Sequence, residues 1–135
     1  HCAEGHHMNL ETIAQYLVDA GHGQTGTNIF VHRMPETIKS GILLIGKLSG
    51  TQNDYELPGF KKGAGFQVIA RDKDLTVAVN KITQVATALN LDSTTLPNMN
   101  IHWMRAKHDP VVYPVSKGDY HEASVNFEAA YLETN

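Results

Sequence analysis

The chain has 135 residues, of which 41% are hydrophobic and 19% charged, and its formal net charge is -3. This composition is typical of a single globular domain that buries its own core, and it excludes a disordered chain. The longest apolar candidate for a membrane helix, residues 42–45, is far too short, so we expect no membrane partner. The basic residues form no long run, so we also expect no nucleic-acid sequence recognition.

The first seven residues differ in character from the rest. They contain three histidines and the only cysteine, Cys2, and His7-Met8 is typical of a cloning junction before an initiator methionine. We therefore interpret residues 1–7 as an expression-tag remnant and residues 8–135 as a single domain. That domain has no cysteine, which excludes disulfides and thiol chemistry. No signal peptide follows Met8, so we expect synthesis in the cytoplasm.

The first half of the chain predicts one helix and two strands before a long loop. Apolar residues recur at helical spacing over residues 8–21, where Asn9 caps the start and Gly21 ends the helix. Residues 28–34 form a short β-rich run ended by Pro35. Residues 40–48 are apolar enough at their centre for a strand buried on both faces.

Glycine and proline dominate residues 49–65, which predicts a long loop. Loops of this length in compact domains are usually functional or mobile. A third strand is predicted from about residue 60 or 65 to Arg71. Its alternation places Phe66, Val68 and Ala70 on one face.

The second half predicts another helix and two strands. The helix begins at Asp72 or Asp74, ends near Asn90, and carries a helically spaced apolar set of Leu75, Ala78, Ile82, Val85 and Leu89. Residues 92–98 are rich in Ser, Thr and Pro and predict a loop, whereas residues 99–107 and 119–133 predict strands. One face of the last strand consists of His121, Ala123, Val125, Phe127, Ala129 and Tyr131.

A connection at residues 108–118 joins these last strands. It contains Pro110 and Pro114 and so cannot form a central strand. The predicted order is α-β-β-β-α-β-β, which defines an α+β fold. Runs of adjacent strands predict an antiparallel or mixed sheet with both helices packed on one face.

The residues with potential chemistry do not form a recognisable site. None of the five histidines after residue 7 has metal-ligand spacing, although cross-strand pairing of His102 with His121 could bring two imidazoles together. We interpret these histidines as ordinary strand residues and Trp103 as a core residue. His108-Asp109 lacks a nucleophile motif, and the glycine-rich run at residues 63–66 lacks the lysine and helix of a phosphate loop. We expect no catalytic residue, metal or cofactor.

Two segments resemble a family of phage proteins. The run GFQVIARD at residues 65–72, followed by a helix rich in Ala and Val, resembles small tail proteins of long-tailed bacteriophages, and so does GDYHEASVNF at residues 118–127. The closest resemblance is to the lambda-type tail terminator group, together with the related minor capsid and tail-to-head joining proteins. By element order it covers most of residues 8–133.

The resemblance implies a structural protein of the virion without catalytic residues. Such proteins form a hexameric ring on the head-proximal end of the tail tube, stop its polymerisation and join it to the head. The implied partners are further copies of the chain, the tail tube protein and a head-completion protein, with a monomer when free. The alternatives are a head-completion or tail-tube subunit or, in a different class, a ligand-binding domain with a site at His102, Trp103 and His121.

By analogy with this family, the two long connections are the candidate interfaces. The first loop would reach the neighbouring subunit, the tube or the lumen. The candidates there are Thr51, Gln52, Asn53, Asp54, Tyr55, Glu56, Lys61 and Lys62, and those in the second connection are His108, Asp109, Tyr113 and Lys117.

Overall fold

The computed structural model describes residues 10–21, 23, 26–35, 38–46, 52–53, 61–97, 99–113 and 120–133. Residues 52–53, 61–64 and 133 are described by their main chain only. Two helices and eight strands lie within these ranges. None of the helices described there is long and apolar enough to cross a membrane.

The first helix, α1, spans Leu10–Asp19 within the predicted range. Of its periodic apolar side chains, Ile13 and Leu17 are fully buried. The helix ends as predicted because Gly21 adopts a φ of +91°, which glycine reaches without a Cβ clash. The Gly21 N–H donates to the Val18 carbonyl at 3.0 Å. The predicted cap Asn9 lies outside the described residues.

The second helix, α2, spans Leu75–Ala88 and is capped by the second of the two predicted residues. The Asp74 carboxylate accepts the Thr76 N–H at 2.9 Å. The buried face begins at Ala78, whereas Leu75 is 39% exposed. The assignment of Leu75 to the buried stripe is therefore wrong, because Leu75 is the first residue of α2 and lies before its buried face begins.

The strands form one mixed sheet with the spatial order β1-β2-β4-β8-β6-β5, and β3 pairs with β4 while β7 pairs with β8. β1 runs parallel to β2, and every other described pair is antiparallel. The bounds are β1 (Ile29–Val31), β2 (Gly41–Gly46), β3 (Gln52–Asn53), β4 (Lys61–Asp72), β5 (Leu91–Leu96), β6 (Met99–Ala106), β7 (Val111–Tyr113) and β8 (His121–Glu133).

The hydrophobic core lies between one face of this sheet and the two helices. Residues opposite one another in a sheet share a face, and the register aligns Leu44 with Val68 and Val125, all fully buried. Phe66 stacks on Phe127 with ring centroids 5.1 Å apart. Side chains of both helices belong to the same cluster. This arrangement confirms the predicted α+β fold with a mixed sheet and both helices on one face.

Three short strands were not predicted. β5 replaces the loop expected at residues 92–98, because Leu91 and Leu96 are buried at its ends and its threonines suit an exposed edge strand. β3 and the first part of β4 occupy the segment predicted as a 49–65 loop. The β4–β8 register shifts between Lys62 and Ala64, so Gly63 occupies a β-bulge, where glycine is well tolerated.

β7 occupies part of the connection predicted at residues 108–118. Its three residues lie between the two prolines, which allow an edge strand while excluding a central one. β1 is shorter than predicted because His32 has a φ of +73° and turns the chain before Pro35.

Trp103 does not belong to the core, contrary to the sequence-based prediction. The β6–β8 register shifts after Ile101, which lies opposite Tyr131, so that Trp103 lies opposite Ala130 on the other face. Trp103 is half-buried, while Met104 takes the fully buried position. The bulge adds one residue, and one residue is enough to reverse a strand's inside–outside alternation.

Candidate assembly surfaces

The first predicted interface group lies where β3 meets the beginning of β4. Gln52 pairs with Lys62 and Asn53 with Lys61, so a two-residue ladder holds part of this group. The other members, Thr51, Asp54, Tyr55 and Glu56, lie outside the described residues. The structure therefore shows the main-chain pairing of four residues of this group but describes none of their side chains.

The second predicted group surrounds β7. His108 and Asp109 precede the strand and are exposed, and Tyr113 ends it, whereas Lys117 lies outside the described residues. The Tyr113 hydroxyl lies 3.0 Å from the Ser124 hydroxyl and 3.5 Å from Gln67 Nε2. Tyr113 therefore lies across the sheet face opposite the helices.

The structure does not bring the two groups together. Lys62 lies beside Ala130 of β8, whereas Val111 lies beside Ser124 of the same strand, on its other side. Six residues of strand correspond to roughly 20 Å. The two groups are separate surfaces at different heights of the sheet.

His108 holds the segment that leads into β7. Its Nδ1 lies 2.6 Å from the Asp109 carbonyl, and its Nε2 accepts the Asn126 main-chain N–H at 3.2 Å. Because Nε2 accepts, the geometry fits the neutral tautomer with the proton on Nδ1. The role of His108 seen here is to attach this segment to β8.

Sequence reasoning overlooked the two valines of β7. Val111 is 46% exposed and Val112 is 45% exposed, although both belong to a strand. An apolar strand exposed on an outer edge is a common site of pairing with another chain. The pattern Pro-Val-Val-Tyr-Pro could have indicated it, because a β-rich triplet between prolines fits an edge position.

The alternative site at His102, Trp103 and His121 does not form. His102 lies at the β6 bulge beside Tyr131, whereas His121 pairs with Asp72 at the other end of β8. Tyr131 and His121 are ten residues apart on β8, so roughly 30 Å separates the two histidines along the sheet. Within the described residues, no three His, Cys, Asp or Glu side chains are grouped as metal ligands.

Arg71 forms a buried polar cluster on the face opposite the helices. Its guanidinium contacts the Glu122 carboxylate at 2.9 Å and donates to the carbonyls of Pro35 and Ile38, both at 3.0 Å. It also lies 4.2 Å from the centre of the Tyr120 ring. This cluster ties the chain before β2 to the beginning of β8, which is a structural role.

A second polar cluster joins Ser40, Asp72 and Lys81. The Ser40 hydroxyl donates to the Asp72 carboxylate at 2.8 Å, and Lys81 Nζ donates to Ser40 at 2.8 Å and lies 3.4 Å from Asp72. Burial raises the pKa of Asp72, but hydrogen bonds from the Asp74 N–H and Ser40 and the charge of Lys81 outweigh it, so the pKa lies below 3.8.

Comparison with known proteins gives a match to a family and similarity to solved structures. The family profile described as bacteriophage tail terminator protein matches residues 16–133. A chain from the solved virion of a native gene transfer agent particle shares the fold, with a TM-score of 0.58 at 12% sequence identity, over 90% of both chains. No curated protein matches the chain.

These findings define the class of the protein as a structural component of phage tails, located in the virion. Because the match covers most of its length, the chain belongs to the bacteriophage tail terminator family. The resemblance found in the sequence is thereby confirmed at the level of the family.

Proposed function

We propose that this protein caps the end of a phage tail tube as a ring, stops the polymerisation of the tube and provides the surface to which the head joins. The observation that carries the proposal is the family match over residues 16–133. Its partners are further copies of the chain, six in the assembled ring, together with the tail tube protein and a head-completion protein.

The role is structural, and we propose that the protein is not an enzyme. The described polar clusters support this view, since the hydrogen bonds of Arg71 and Asp72 hold parts of the fold to one another. The exposed valines of β7 form a surface suited to protein contacts, and we propose the connection between β3 and β4 as a second contact. The subunit has a core of its own, which fits a monomer that becomes a ring only on the tube.

The connection between β3 and β4 allows a direct test. Seven residues separate Asn53 from Lys61. Deleting residues 54–57 leaves three, a normal length for a hairpin loop, so the fold should be retained. We expect the variant to unfold at the same urea concentration as the parent protein but to lose its ability to stop tube growth.

The readout is the length of tubes assembled from purified tail tube protein in the presence of each variant. The parent protein should give short tubes of narrow length distribution, and the deletion should give long ones. Short tubes with the deletion variant would show that this connection is not the tube contact. Long tubes with the folded parent protein would contradict the capping function itself.

A further inference from the structure

The outer edge of β7 is open in the described part of the chain. The Asn126 carbonyl accepts the Lys107 N–H at 2.8 Å, so the main chain of Asn126 points toward the side of β8 on which β7 lies. Main-chain groups alternate sides along a strand, so Ser124 and Glu122 also point toward β7. The residue between their two partners, Val112, therefore directs its N–H and carbonyl outward.

The opposite edge of the sheet, at β1, is also open within the described ranges. The His32 N–H donates to the Leu44 carbonyl of β2 at 2.8 Å, so by the same alternation Ile29 and Val31 direct their main-chain groups outward. The Ile29 carbonyl accepts the Gly26 N–H at 2.8 Å. The Ile29 N–H and both main-chain groups of Val31 face the open side.

The two open edges lie at the same height of the sheet. Ile29 lies opposite Ile42, which continues across the sheet to Ala70 and Ala123, and Val112 lies opposite the same Ala123. A neighbouring copy can therefore place its β7 beside β1 without a shift along the strands. A head-to-tail contact of this kind gives a ring when the rotation between copies closes, and a helical filament when it does not.

The strand directions fit cyclic symmetry as well. β1 runs in the same direction as β2 and β8, and β7 runs opposite to β8. When two copies point the same way, as they do in a ring, β7 of one copy meets β1 of the next as an antiparallel pair. A parallel pair would require one copy to be inverted, and a ring of equivalent subunits excludes that.

The surroundings of the two edges are complementary. A groove of about 420 Å³ runs beside β1, and its lining includes Phe30 and Val31. The exposed valines of β7 provide apolar side chains for such a groove. Antiparallel pairing also places Arg33, two residues after β1, at the same end of the ladder as Asp109, two residues before β7. Both are exposed, and neither forms a salt bridge with another described residue.

We propose that β7 of each subunit adds to β1 of the next subunit as an antiparallel strand, joining the sheets of a ring edge to edge. The occupant of the β1 groove is thus a second copy of this chain. The assignment rests on the ring function proposed above, and it predicts Phe30 of one copy opposite Val111 of the next, since both share the level of Ser124.

Disulfide trapping on tube ends tests this register. In a Cys2→Ser background, the pair Phe30→Cys with Val111→Cys should form disulfides between subunits, because directly opposed residues place their Cβ atoms within about 5.5 Å. A non-reducing gel of capped tubes should then show a ladder of linked subunits. The control pair replaces Val111→Cys by Val77→Cys, which is 41% exposed but lies on α2, and should give no ladder.

Charge reversal provides an independent test. We expect Arg33→Asp and Asp109→Arg each to raise the protein concentration needed to cap tubes by about tenfold, and the double variant to recover most of the loss. Lys73→Asp, an exposed reversal away from both edges, is the control and should leave capping unchanged.

The outcomes separate this pairing from the function on which it rests. Rings on tube ends with no ladder from the Phe30 and Val111 cysteines, and no recovery in the double charge variant, would overturn the strand pairing while capping stands. If the parent protein forms no rings on tubes, both the pairing and the proposed function are wrong.

Discussion

At the scale of single residues, the ion pair of Arg71 holds two distant parts of the chain together. The Arg71 side chain is 8% exposed and that of Glu122 is 24% exposed, so water screens the pair poorly. The exposed pair between Arg105 and Asp92 has the same chemistry, but its side chains are 43% and 70% exposed. The two pairs should therefore contribute very differently to the free energy of unfolding.

Glu122→Gln removes the carboxylate and leaves the Arg71 charge buried without its counterion. We expect the free energy of unfolding to fall by about 2 kcal/mol, because uncompensated buried charge is costly. Asp92→Asn is the matched control and should cost under about 1 kcal/mol. Urea unfolding at neutral pH measures both, and equal losses in the two variants would contradict a structural role for the Arg71 cluster.

The lowered pKa of Asp72 links stability to pH. Because this pKa is lower in the folded chain than its ordinary value of 3.8, the carboxylate stabilises the fold above 3.8, and the contribution disappears as the pH falls through the folded value. Asp72→Asn should therefore be less stable than the parent protein at pH 7, with a difference that shrinks toward pH 3. Urea unfolding at both pH values, with NMR titration of the carboxyl carbon, would check this. An unchanged difference at pH 3 would contradict it.

At the scale of elements, the β6 bulge shows how one extra residue reverses the face assignment that the sequence pattern predicts for a strand. Alternation along Met99, Ile101 and Trp103 predicts a shared face, but the extra residue at the bulge sends Trp103 to the other face and Met104 to the core. A bulge has no strong signature in a single sequence. Its position depends on pairing with a strand some thirty residues away, here β8.

Alanine substitutions of Met104 and Trp103 test which of the two side chains lies in the core. Met104→Ala should lower the free energy of unfolding by about 3 kcal/mol, because it leaves a cavity in a fully buried site. Trp103→Ala should cost about 1 kcal/mol, since Trp103 is only half-buried. Denaturant unfolding of both variants gives the comparison. A larger loss for Trp103→Ala would place the tryptophan in the core and contradict the register.

The elements that the sequence predicts well are those with a strong local period. The alternation in β8 and the helical spacing around Ile82 correctly identify buried faces, because burial is imposed at every second or every third to fourth residue. β5 and β7 are too short and too polar or proline-flanked for such a signal. They are strands because β6 pairs with β5 and β8 pairs with β7. Such pairing cannot be predicted from the residues of the short strand alone.

At the scale of the whole molecule, the two connections that the sequence suggests as interfaces belong to separate surfaces of the sheet. Tyr113 and Asp109 belong to a defined edge strand or its approach, whereas Gln52 and Asn53 form a small ladder at the other end of the sheet. In the sequence, these residues stand out only because their connections are long. Their separation, and the exposure of Val112, appear only when the register is known.

This separation suggests that different surfaces make the subunit contacts and the tube contact in the proposed ring. The sheet edges at β1 and β7 are suited to contacts between subunits, because they lie on opposite sides of the fold and at one height. The β3–β4 end lies away from both and is suited to contact the tube or the head. In this arrangement the subunit contacts and the tube contact can be altered independently by substitution.

The most direct test of the account is the native mass of the protein, without residues 1–7, measured alone and on purified tail tubes. We predict a monomer in solution and ring-shaped caps of six copies on tube ends. A protein that remains monomeric and does not bind tubes would contradict the central claim that this member of the tail terminator family acts as a ring on the tube.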